Sequence, residues 1–293
     1  MIDMHLHTYY SDGTLSPTEL IKRAADRGVK TLAITDHDGF NGIAEALEAG
    51  ERFGVTVIPG VEFSTIMQGD ELDGAPPYYT GSIINLHILG YEIDIQNEEL
   101  KIAVNEMRKK REERNRKLLS ALNRIGYQIR EEDLLQRKGQ DYVGKPNFAL
   151  ALVKKGYVKS AKEANTPGRF LRHPEARKIH REKIHVRNAV SLINNAGGYA
   201  VLAHPMKVKF PEGKSDKSDD IFDQLDALLD QLVEWGLAGM ECYYSTHTVE
   251  QAAQLVDIAT GRGLLITSGS DFHGPGFDSR LDVGVTGKDW FYR

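Results

Sequence analysis

The sequence of 293 residues predicts an α/β fold in which seven strands form a closed or nearly closed barrel. Seven short apolar runs recur along the chain, and several are continuously apolar, as strands buried on both faces of a parallel sheet are. Helical patterns separate most of the runs, and a helical crossover places the next strand parallel to the one before it. The runs are residues 1–6, 31–35, 55–59, 85–91, 199–203, 239–244 and 264–268.

The segments between these strands contain sequence signals that start and stop helices. The stretch Ser16-Pro17-Thr18-Glu19 combines an N-cap serine, a proline at the first helical position and the glutamate of a capping box, and Gly28 supplies a stop. Residues 67–83, rich in glycine and proline, are predicted as a loop. Further helices are predicted over residues 41–53, 187–195, 220–235 and 248–262.

The alternation of strand and helix breaks between residues 96 and 190. This stretch is helical in pattern, beginning with a long charged helix from about Glu98 to Ile125. It holds 24 Lys and Arg against 12 Asp and Glu, whereas the rest of the chain holds 13 against 30. Such a basic segment indicates contact with an anion, although the solvated faces of long helices would give the same composition. We therefore predict a first barrel part at 1–95, a basic helical insertion at 96–190 and a second barrel part at 191–293.

Composition excludes several other classes of protein. No apolar run approaches the roughly 18 residues of a membrane-spanning helix. The first residues, MIDMHLHTYYSDG, lack the charged and apolar regions of a signal peptide. Cys242 is the only cysteine, which excludes an internal disulfide framework and a cysteine zinc site. We therefore expect a protein of the reducing cytoplasm, without a membrane association or an obligate protein partner.

Histidines and carboxylates lie at the strand ends. In a parallel barrel the C-terminal ends of all strands meet on one face, where active sites are found. Residues two apart on a strand, such as His5 and His7, project to the same side and can bind one ion together. One histidine at a strand end is usually a packing or surface residue, but a full set at equivalent positions predicts a metal centre. The set is His5, His7, Asp12, His37, Glu62, His87, His204, Asp271 and His273.

The types of candidate ligand narrow the choice of metal ion and of reaction. Imidazoles and carboxylates without thiolates suit Mn²⁺, Zn²⁺ or Fe²⁺ better than Mg²⁺ or Ca²⁺, and we expect Mn²⁺ first. Nine ligands exceed the four of one tetrahedral site, so two or three divalent cations are predicted, with a carboxylate such as Glu62 able to bridge them. Clustered cations generate hydroxide near neutral pH and bind phosphate oxygens during in-line attack, which predicts hydrolysis of phosphate esters.

The motifs resemble, in kind and order, those of the PHP (polymerase and histidinol phosphatase) metallophosphoesterases. They are H-x-H followed by S-D-G, T-D-H-D, G-V-E, H-I-L-G-Y, A-H-P and S-D-F-H, over about residues 1–95 and 186–293. The resemblance implies a distorted (β/α)7 barrel with three ions. The first would be held by His5, His7, Glu62 and Asp271, the second by Glu62, His87 and His204, and the third by Asp12, His37 and His273.

The resemblance also implies a substrate. The subgroup that this chain resembles hydrolyses the 3′-phosphate of nucleoside 3′,5′-bisphosphates, and some members trim short RNA from the 5′ end. A G-R-P-H-like element of that subgroup reads Gly144-Lys145-Pro146-Asn147 here, so a positive charge is kept but the guanidinium fork and the titratable histidine are lost. Lys145, Asn147 and His247 are the predicted phosphate contacts.

A second layer of polar residues is predicted around the ligands. Asp36 and Asp38 are expected either to orient ligand histidines or to cap the next helix. Glu241 is a candidate for the same orienting role. Tyr243 or Tyr244 could stack on a base, although packing within the barrel is the simpler expectation.

Three other functions fit parts of the sequence. A metal-dependent amidohydrolase would share the barrel, but such sites commonly use a carboxylated lysine and the predicted strand ends offer none. A histidinol-phosphate phosphatase would share the metal chemistry, and the basic insertion favours a nucleotide over it. A non-catalytic, polymerase-associated module would keep the fold, but the complete ligand set argues for an active site.

Overall fold

The protein is described by a computed structural model over residues 1–135, 140, 142–211, 221–275 and 280–286. Its eight strands form one sheet, curved into a nearly closed barrel, which confirms the predicted α/β barrel. Seven strands follow one another in the order β1-β2-β3-β4-β6-β7-β8, and the short β5 pairs with β3. The strands are β1 (Ile2–Leu6), β2 (Thr31–Ile34), β3 (Thr56–Gln68), β4 (Ile83–Tyr91), β5 (Ile184–His185), β6 (Tyr199–Leu202), β7 (Gly239–Tyr244) and β8 (Leu265–Gly269).

The helices begin and end close to the predicted residues. Ser16 caps the first helix through the predicted capping box with Glu19, and Gly28 follows its end with φ of +79°. The long charged helix of the insertion is also present, from Glu98 to Arg124. The helices are α1 (Pro17–Asp26), α2 (Ile43–Phe53), α3 (Glu98–Arg124), α4 (Lys145–Lys154), α5 (Pro174–Arg177), α6 (Val186–Asn195), α7 (Ile221–Glu234) and α8 (Val249–Gly261).

One strand corrects the expectation that all strands run parallel. Strand β3 continues past the predicted residues 55–59 to Gln68, and the connection that follows it contains no α-helix. Without a helical crossover the chain reverses, so β4 runs antiparallel to both β3 and β6. His87 therefore lies in the middle of β4, opposite Ser64, and reaches the barrel mouth from there rather than from a strand end.

The barrel closes through contacts between β1 and the segment after β8. The Asp271 amide donates to the His5 carbonyl at 2.9 Å, and the His7 amide donates to the Phe272 carbonyl at 3.1 Å. Buried Asp3 strengthens this seam because its carboxylate accepts hydrogen bonds from the amide and hydroxyl of Ser270. Residues on β1 and after β8 are thereby held side by side at the mouth of the barrel.

The insertion has an apolar core of its own. Leu118 and Leu122 of α3 pack with Phe148 of α4 and with Phe170 in a cluster separate from the barrel clusters. The N-terminal half of α3 instead packs on the barrel, with Leu100 and Val104 in the largest core cluster. Helix α3 therefore connects the barrel to the insertion core. None of the helices in the described part of the chain is long and apolar enough to span a membrane.

Candidate metal centre

The nine predicted ligands converge at one end of the barrel. In three groups, the candidate ligand atoms all lie within 4.8 Å of one another. His5, His7, Glu62 and Asp271 form the first group, as expected. His7 joins the expected Asp12, His37 and His273 in the second. The third was expected to contain Glu62, His87 and His204, but His37 takes the place of His204, which is in none of the three groups although its Nε2 lies 3.1 Å from Glu62 Oε1.

Glu62 lies at the centre of the cluster and is almost completely buried. It lies on β3 just past the point where the pairing partner of this strand changes from β2 to β4, and it forms an isolated parallel bridge with His37. Its two oxygens approach different histidines, so one carboxylate contacts all three groups of ligands. Oε2 lies 3.3 Å from Nε2 of His5, 3.3 Å from Nε2 of His7 and 2.9 Å from Nδ1 of His37. Oε1 lies 2.8 Å from Nδ1 of His87 and 3.1 Å from Nε2 of His204.

Asp12 and Asp271 complete the acidic part of the cluster. Asp12 Oδ1 is 3.2 Å from His273 Nε2, and Asp12 Oδ2 is 3.7 Å from His37 Nε2. Asp271 Oδ1 is 3.1 Å from His7 Nε2 and 3.4 Å from His5 Nε2. Each of these carboxylates therefore lies between two imidazoles, in the arrangement that a shared cation needs.

The electrostatics of the cluster favour bound positive charge. Burial opposes ionisation of Glu62, yet the surrounding histidines, His37 and His5 foremost, hold its pKa well below the usual value. Burial likewise disfavours a charged His37, but the carboxylates of Glu62 and Asp12 raise its pKa to about 10. His273 behaves in the same way, with its pKa raised to about 9 by Asp12 and Asp271 against the effect of burial.

The buried atoms that face one another fit divalent cations. Although they approach closely, five of them are not aligned for a hydrogen bond with any residue that the structure describes. Buried polar atoms without partners cost free energy, so a set of them pointing at one region indicates a ligand. Imidazole nitrogens and carboxylate oxygens are what Mn²⁺, Zn²⁺ and Fe²⁺ prefer. The five atoms are Nε2 of His5, Nε2 of His7, Oδ1 of Asp12, Nδ1 of His37 and Oε2 of Glu62.

The backbone is strained where it presents these side chains. Asp38, His204 and Asp271 all have positive φ, at 50°, 28° and 56°. Non-glycine residues adopt such angles at a cost, and they cluster at functional sites. Gly269, at the end of β8, has no space for a side chain, because a Cβ there would lie 2.3 Å from both Glu241 Oε1 and His5 Cβ. The end of β8 therefore packs directly against the candidate ligand His5 and against Glu241.

Glu241 orients two of the ligands from beneath. It is fully buried on β7, and its Oε1 lies 3.0 Å from His5 Nδ1. Its Oε2 accepts a hydrogen bond of 2.7 Å from the backbone amide of His204. A carboxylate on the far nitrogen of a ligand histidine fixes the ring and its tautomer, so the expected orienting role of Glu241 agrees with this geometry.

Asp36 reaches a candidate ligand through one hydroxyl, because Ser11 Oγ lies 3.4 Å from His7 Nδ1 and donates to Asp36, which agrees with the expected orienting role. The alternative expectation, that Asp36 or Asp38 caps α2, does not hold, since N-cap Gly42 receives no side-chain cap. Asp36 accepts hydrogen bonds from the amide and hydroxyl of Thr8 and from the hydroxyl of Ser11, and so fixes the loop that carries Asp12. Both aspartates are thus positioned by the fold for contacts that are long-range in sequence, which local motifs do not encode.

Asp38 instead connects the barrel to the insertion. Its Oδ2 pairs with the guanidinium groups of Arg111 and Arg181, the latter at 2.5 Å, while its Oδ1 accepts from the Ser64 amide at 2.9 Å. Burial opposes the charge, yet Arg181 and Arg111 lower the pKa of Asp38 to about 2. The ion pairs hold the insertion beside His37.

A cavity of about 710 Å³ opens over the ligands. Three lysines that sequence reasoning missed line it beside the metal-ligand candidates: Lys183, Lys207 and Lys209. Lys207 Nζ contacts the hydroxyl of Tyr244, which in turn donates to Asp271 Oδ2 at 2.7 Å. Tyr244 therefore holds a ligand carboxylate rather than stacking on a base. Candidate metal ligands form the floor of the cavity and lysines form part of its wall, an arrangement that suits a phosphate ester.

The sequence model of the PHP domain family matches residues 3–235, which is most of the chain. The chain belongs to the PHP domain family.

Curated relatives of this PHP protein act on phosphate esters. The 3′,5′-nucleoside bisphosphate phosphatase of Chromobacterium violaceum is 32% identical, with 97% of this chain and 91% of the relative covered. The phosphoribosyl 1,2-cyclic phosphate 1,2-diphosphodiesterase of Eggerthella lenta is 31% identical, covering 93% and 94%. The 5′-3′ exoribonuclease of Haemophilus influenzae is 30% identical, covering 93% and 90%.

Solved structures agree with this assignment. A Chromobacterium violaceum protein described as an amidohydrolase, with bound SO₄ and no metal, is 30% identical and superimposes with a TM-score of 0.78 over 94% of this chain and 89% of its own. A Bifidobacterium adolescentis protein assigned as a metal-dependent phosphoesterase is 27% identical, with a TM-score of 0.77 over 97% and 91%. The PHP chain is therefore a metal-dependent phosphoesterase, a hydrolase.

The three predicted phosphate contacts of this PHP protein lie in different settings. Lys145 is exposed at the first position of α4. Asn147 is buried, and its Oδ1 accepts from the Gly144 amide at 2.8 Å, so it caps α4. His247 is buried behind Tyr244, with Nδ1 3.0 Å from the Cys242 carbonyl. None of the three is among the residues that line the cavity over the ligands.

Proposed function

We propose that this phosphoesterase removes the 3′-phosphate of nucleoside 3′,5′-bisphosphates at a trinuclear centre built on Glu62. The observation that carries the proposal is the sharing of the two Glu62 oxygens among five imidazoles, beneath a cavity with lysines on its wall. The proposed ligands are the nine predicted residues, His5, His7, Asp12, His37, Glu62, His87, His204, Asp271 and His273. Their fit to divalent cations rests on the converging, unpartnered buried atoms.

The ions would be Mn²⁺ first, with Zn²⁺ and Fe²⁺ as alternatives, since all three accept imidazole and carboxylate ligands. When bound, such ions lower the pKa of water and neutralise the charge of a phosphate under attack. Residues of the chain perform the remaining tasks. Glu241 orients His5, and Tyr244 holds Asp271 by one oxygen so that the other faces His5 and His7.

The lysines of the cavity wall would bind the substrate. Lys183 donates to Asn85 Oδ1 at 3.0 Å, which holds its ammonium group at the cavity. Lys207 lies 3.5 Å from Asp271 Oδ2, next to the ligands, and is half exposed. Cations here would stabilise the non-bridging oxygens of the phosphate and the charge that develops on them. The ribose oxygen would be the leaving group, and the reaction would need no covalent enzyme intermediate.

A nucleotide substrate is supported by the basic character of the insertion and by the names of the relatives. We propose that residues 96–190 act as a basic subdomain over a barrel formed by 1–95 and 191–293, and that the protein works in the cytoplasm. The relatives that act on cyclic phosphodiesters or RNA 5′ ends define the competing substrates. All of these are phosphate esters of ribose, so the comparison of substrates is the decisive experiment.

That experiment measures phosphate release by the Mn²⁺-loaded protein. Adenosine 3′,5′-bisphosphate should be cleaved at the 3′ position with a kcat/KM at least about tenfold above those of 5′-phosphorylated short RNA, a ribose 1,2-cyclic phosphate and histidinol phosphate. A preference for RNA or the cyclic ester would replace the substrate but leave the chemistry. Binding of Mn²⁺ without cleavage of any phosphate ester would refute the catalytic proposal and favour a metal-binding module.

A further inference from the structure

The two carboxylate oxygens of Asp271 face different partners. Oδ1 lies 3.1 Å from His7 Nε2 and 3.4 Å from His5 Nε2, so it faces the other candidate ligands. Oδ2 accepts the 2.7 Å hydrogen bond from the Tyr244 hydroxyl and lies 3.5 Å from Lys207 Nζ. Because the side chain is only 13% exposed, water screens little of the interaction between a charge beside Oδ2 and a charge beside Oδ1. A cation next to Oδ2 therefore weakens the attraction of Oδ1 for another cation.

The ring of Tyr244 is held firmly by its neighbours. It is 1% exposed, and its centroid lies 5.6 Å from that of His204 and 5.1 Å from that of His247. His247 is held in turn, with Nδ1 3.0 Å from the Cys242 carbonyl. Burial, together with the adjacent Asp271 carboxylate, raises the pKa of the Tyr244 hydroxyl, so this hydroxyl remains a donor. Tyr244 is thus a rigid link, whose oxygen can accept a hydrogen bond while its proton points to Asp271.

Lys207 is the member of this chain of contacts that is free to move. Its Nζ contacts the Tyr244 hydroxyl and lies 4.4 Å from the centroid of the Tyr244 ring. Its backbone amide donates to the His204 carbonyl at 2.8 Å, which anchors the base of the side chain beside a candidate ligand. The side chain itself is 48% exposed and lines the cavity. A flexible four-carbon stem on an anchored backbone can turn from Tyr244 toward an anion in the cavity.

The other two lysines of the cavity wall are placed differently. Lys183 donates from Nζ to Asn85 Oδ1, and the backbone amide of Lys209 donates to the Asn85 carbonyl at 3.5 Å. Within the described part of the chain, Lys207 is the one wall lysine that forms an ion pair with a candidate metal ligand. The contact is therefore a property of this residue and not of the wall as a whole.

We propose that Lys207 is the counter-cation of Asp271 in the cation-free protein and that it releases this carboxylate when an anion enters the cavity. Lys207 competes with a divalent cation for the charge of Asp271, and a phosphate ester draws the competitor away. The anion and the cation thus assist each other's binding through one side chain. The inference rests on the metal centre of the proposed function, whichever phosphate ester is the substrate. Toward the cation Lys207 acts only through Asp271, so it is a positioning residue.

The first test is a calorimetric titration of Mn²⁺ into the metal-free protein in a buffer without phosphate or sulfate. In Lys207→Met the competing charge is gone, so the Kd for Mn²⁺ should fall about two- to fivefold, the value of a half-exposed ion pair. Lys207→Arg keeps the charge and should retain the wild-type Kd. Lys209→Met removes the same charge from the same wall and should change the Kd less than K207M does. An unchanged or raised Kd in K207M would overturn the proposal, since that is what a purely structural lysine would give.

Sulfate tests whether an anion releases Asp271. It is a tetrahedral dianion that cannot be hydrolysed here, and its Mn²⁺ salt stays in solution. Saturating sulfate should lower the Kd for Mn²⁺ in the wild type, and by a smaller factor in K207M, where no competitor is left to be drawn away. Direct contacts between sulfate and the ions are common to both proteins, so the difference between the two factors reports Lys207. Equal factors would overturn the proposed release.

Tyr244→Phe should change the Kd in the opposite direction from K207M. The substitution removes the donor that orients Asp271, and residues that orient a ligand in this way change metal affinity about ten- to hundredfold, so the Kd for Mn²⁺ should rise by that factor. Tyr199→Phe, at an exposed position of β6, is the matched control and should keep the wild-type Kd. Both Tyr244 and Lys207 contact the same oxygen of Asp271, so a rise in both variants would show support rather than competition and would overturn the role of Lys207.

These titrations need no turnover, and this separates the inference from the proposed function. If the wild type cleaves no phosphate ester but K207M binds Mn²⁺ more tightly than K207R, the function fails and the role of Lys207 stands. If esters are cleaved and the two variants share one Kd, the role of Lys207 fails and the function stands. Should K207M not fold, Lys207→Gln decides the matter, because a lowered Kd in K207Q supports the proposal and an unchanged Kd overturns it.

Discussion

The barrel mouth and the adjoining face of the insertion are opposites in charge and in construction. At the mouth, Asp12, Glu62 and Asp271 lie among imidazoles and raise the pKa values of His37 and His273, so this surface favours cations. The insertion face gathers guanidinium groups around the single carboxylate of Asp38, so it favours anions. A phosphate ester bridges two such surfaces naturally, since metal ions bind it on one side and guanidinium or ammonium groups on the other. The two surfaces meet at Asp38, beside His37.

Among the acidic residues of the barrel mouth, substitution of the central Glu62 should have the largest effect. Glu62→Gln keeps the shape of the side chain but removes the charge that five imidazoles share. We expect kcat/KM on an aryl phosphate to fall by at least about a thousandfold, together with loss of bound metal measured by elemental analysis. Glu48→Gln, at an exposed position of α2, is the matched control and should retain both. Full metal content with near-normal activity in E62Q would remove Glu62 from its central role.

The junction between the two surfaces is Asp38. Asp38→Asn leaves Arg111 and Arg181 buried with no carboxylate, and breaking a buried ion pair in this way costs about 3 kcal/mol. The free energy of unfolding in urea should fall by about that amount, whereas exposed Asp73→Asn should change it little. If stability is unchanged, the insertion is held to the barrel by its apolar contacts alone.

Substitution of Glu241, which lies beneath the candidate ligands, should have a smaller effect than substitution of a ligand. Glu241→Gln keeps a hydrogen-bond partner for His5 and for the His204 amide but removes the charge that fixes the imidazole. Residues in this position change metal affinity or activity by about ten- to hundredfold. We therefore expect Mn²⁺ titrations to give a Kd raised by that factor, with Glu250→Gln on the exposed start of α8 as control. An unaltered Kd would mean that the barrel backbone alone orients His5.

The two surfaces also differ in how far the sequence reveals them. The convergence of the candidate ligands at the mouth could be predicted because most of them follow from short motifs at strand ends, and parallel strands deliver their ends to one place. His87 was included among the candidates because of its motif, although the predicted direction of β4 was wrong. The sequence did not distinguish the hairpin between β3 and β4 from a long loop.

The insertion face was harder to predict because its residues meet only after the helices fold back on the barrel. Lys183 of the insertion and Lys207 of the second barrel part share no motif, yet they line one cavity. Asp38 was expected to orient a ligand histidine or to cap the next helix, whereas its partners Arg111 and Arg181 lie 73 and 143 residues away. The periodicity of α3 does contain a readable signal, since Arg111 and Arg114 fall on its apolar stripe.

The smallest expected effect concerns the pH dependence of the cationic wall. Burial lowers the pKa of Lys183 to about 8, helped by Arg181, Lys145 and Lys209 and opposed by Asp38. A lysine is charged below its pKa, so Lys183 should attract phosphate at pH 7 and lose its proton, and its attraction, as the pH rises through 8. The KM for adenosine 3′,5′-bisphosphate should therefore rise about two- to fivefold between pH 7 and pH 9, the value of a partly exposed ion pair.

Lys183→Arg provides the matched variant for that measurement, because arginine stays charged throughout this range. Ionisation at the metal ligands is common to both proteins and affects them equally, so the difference between their KM profiles reports residue 183 alone. K183R should have a flatter profile than the wild type, and Lys30→Arg at an exposed position should not. If K183R and the wild type give the same rise, the charge that binds phosphate lies on the guanidinium groups of the insertion, and the lysines of the cavity wall contribute little to affinity.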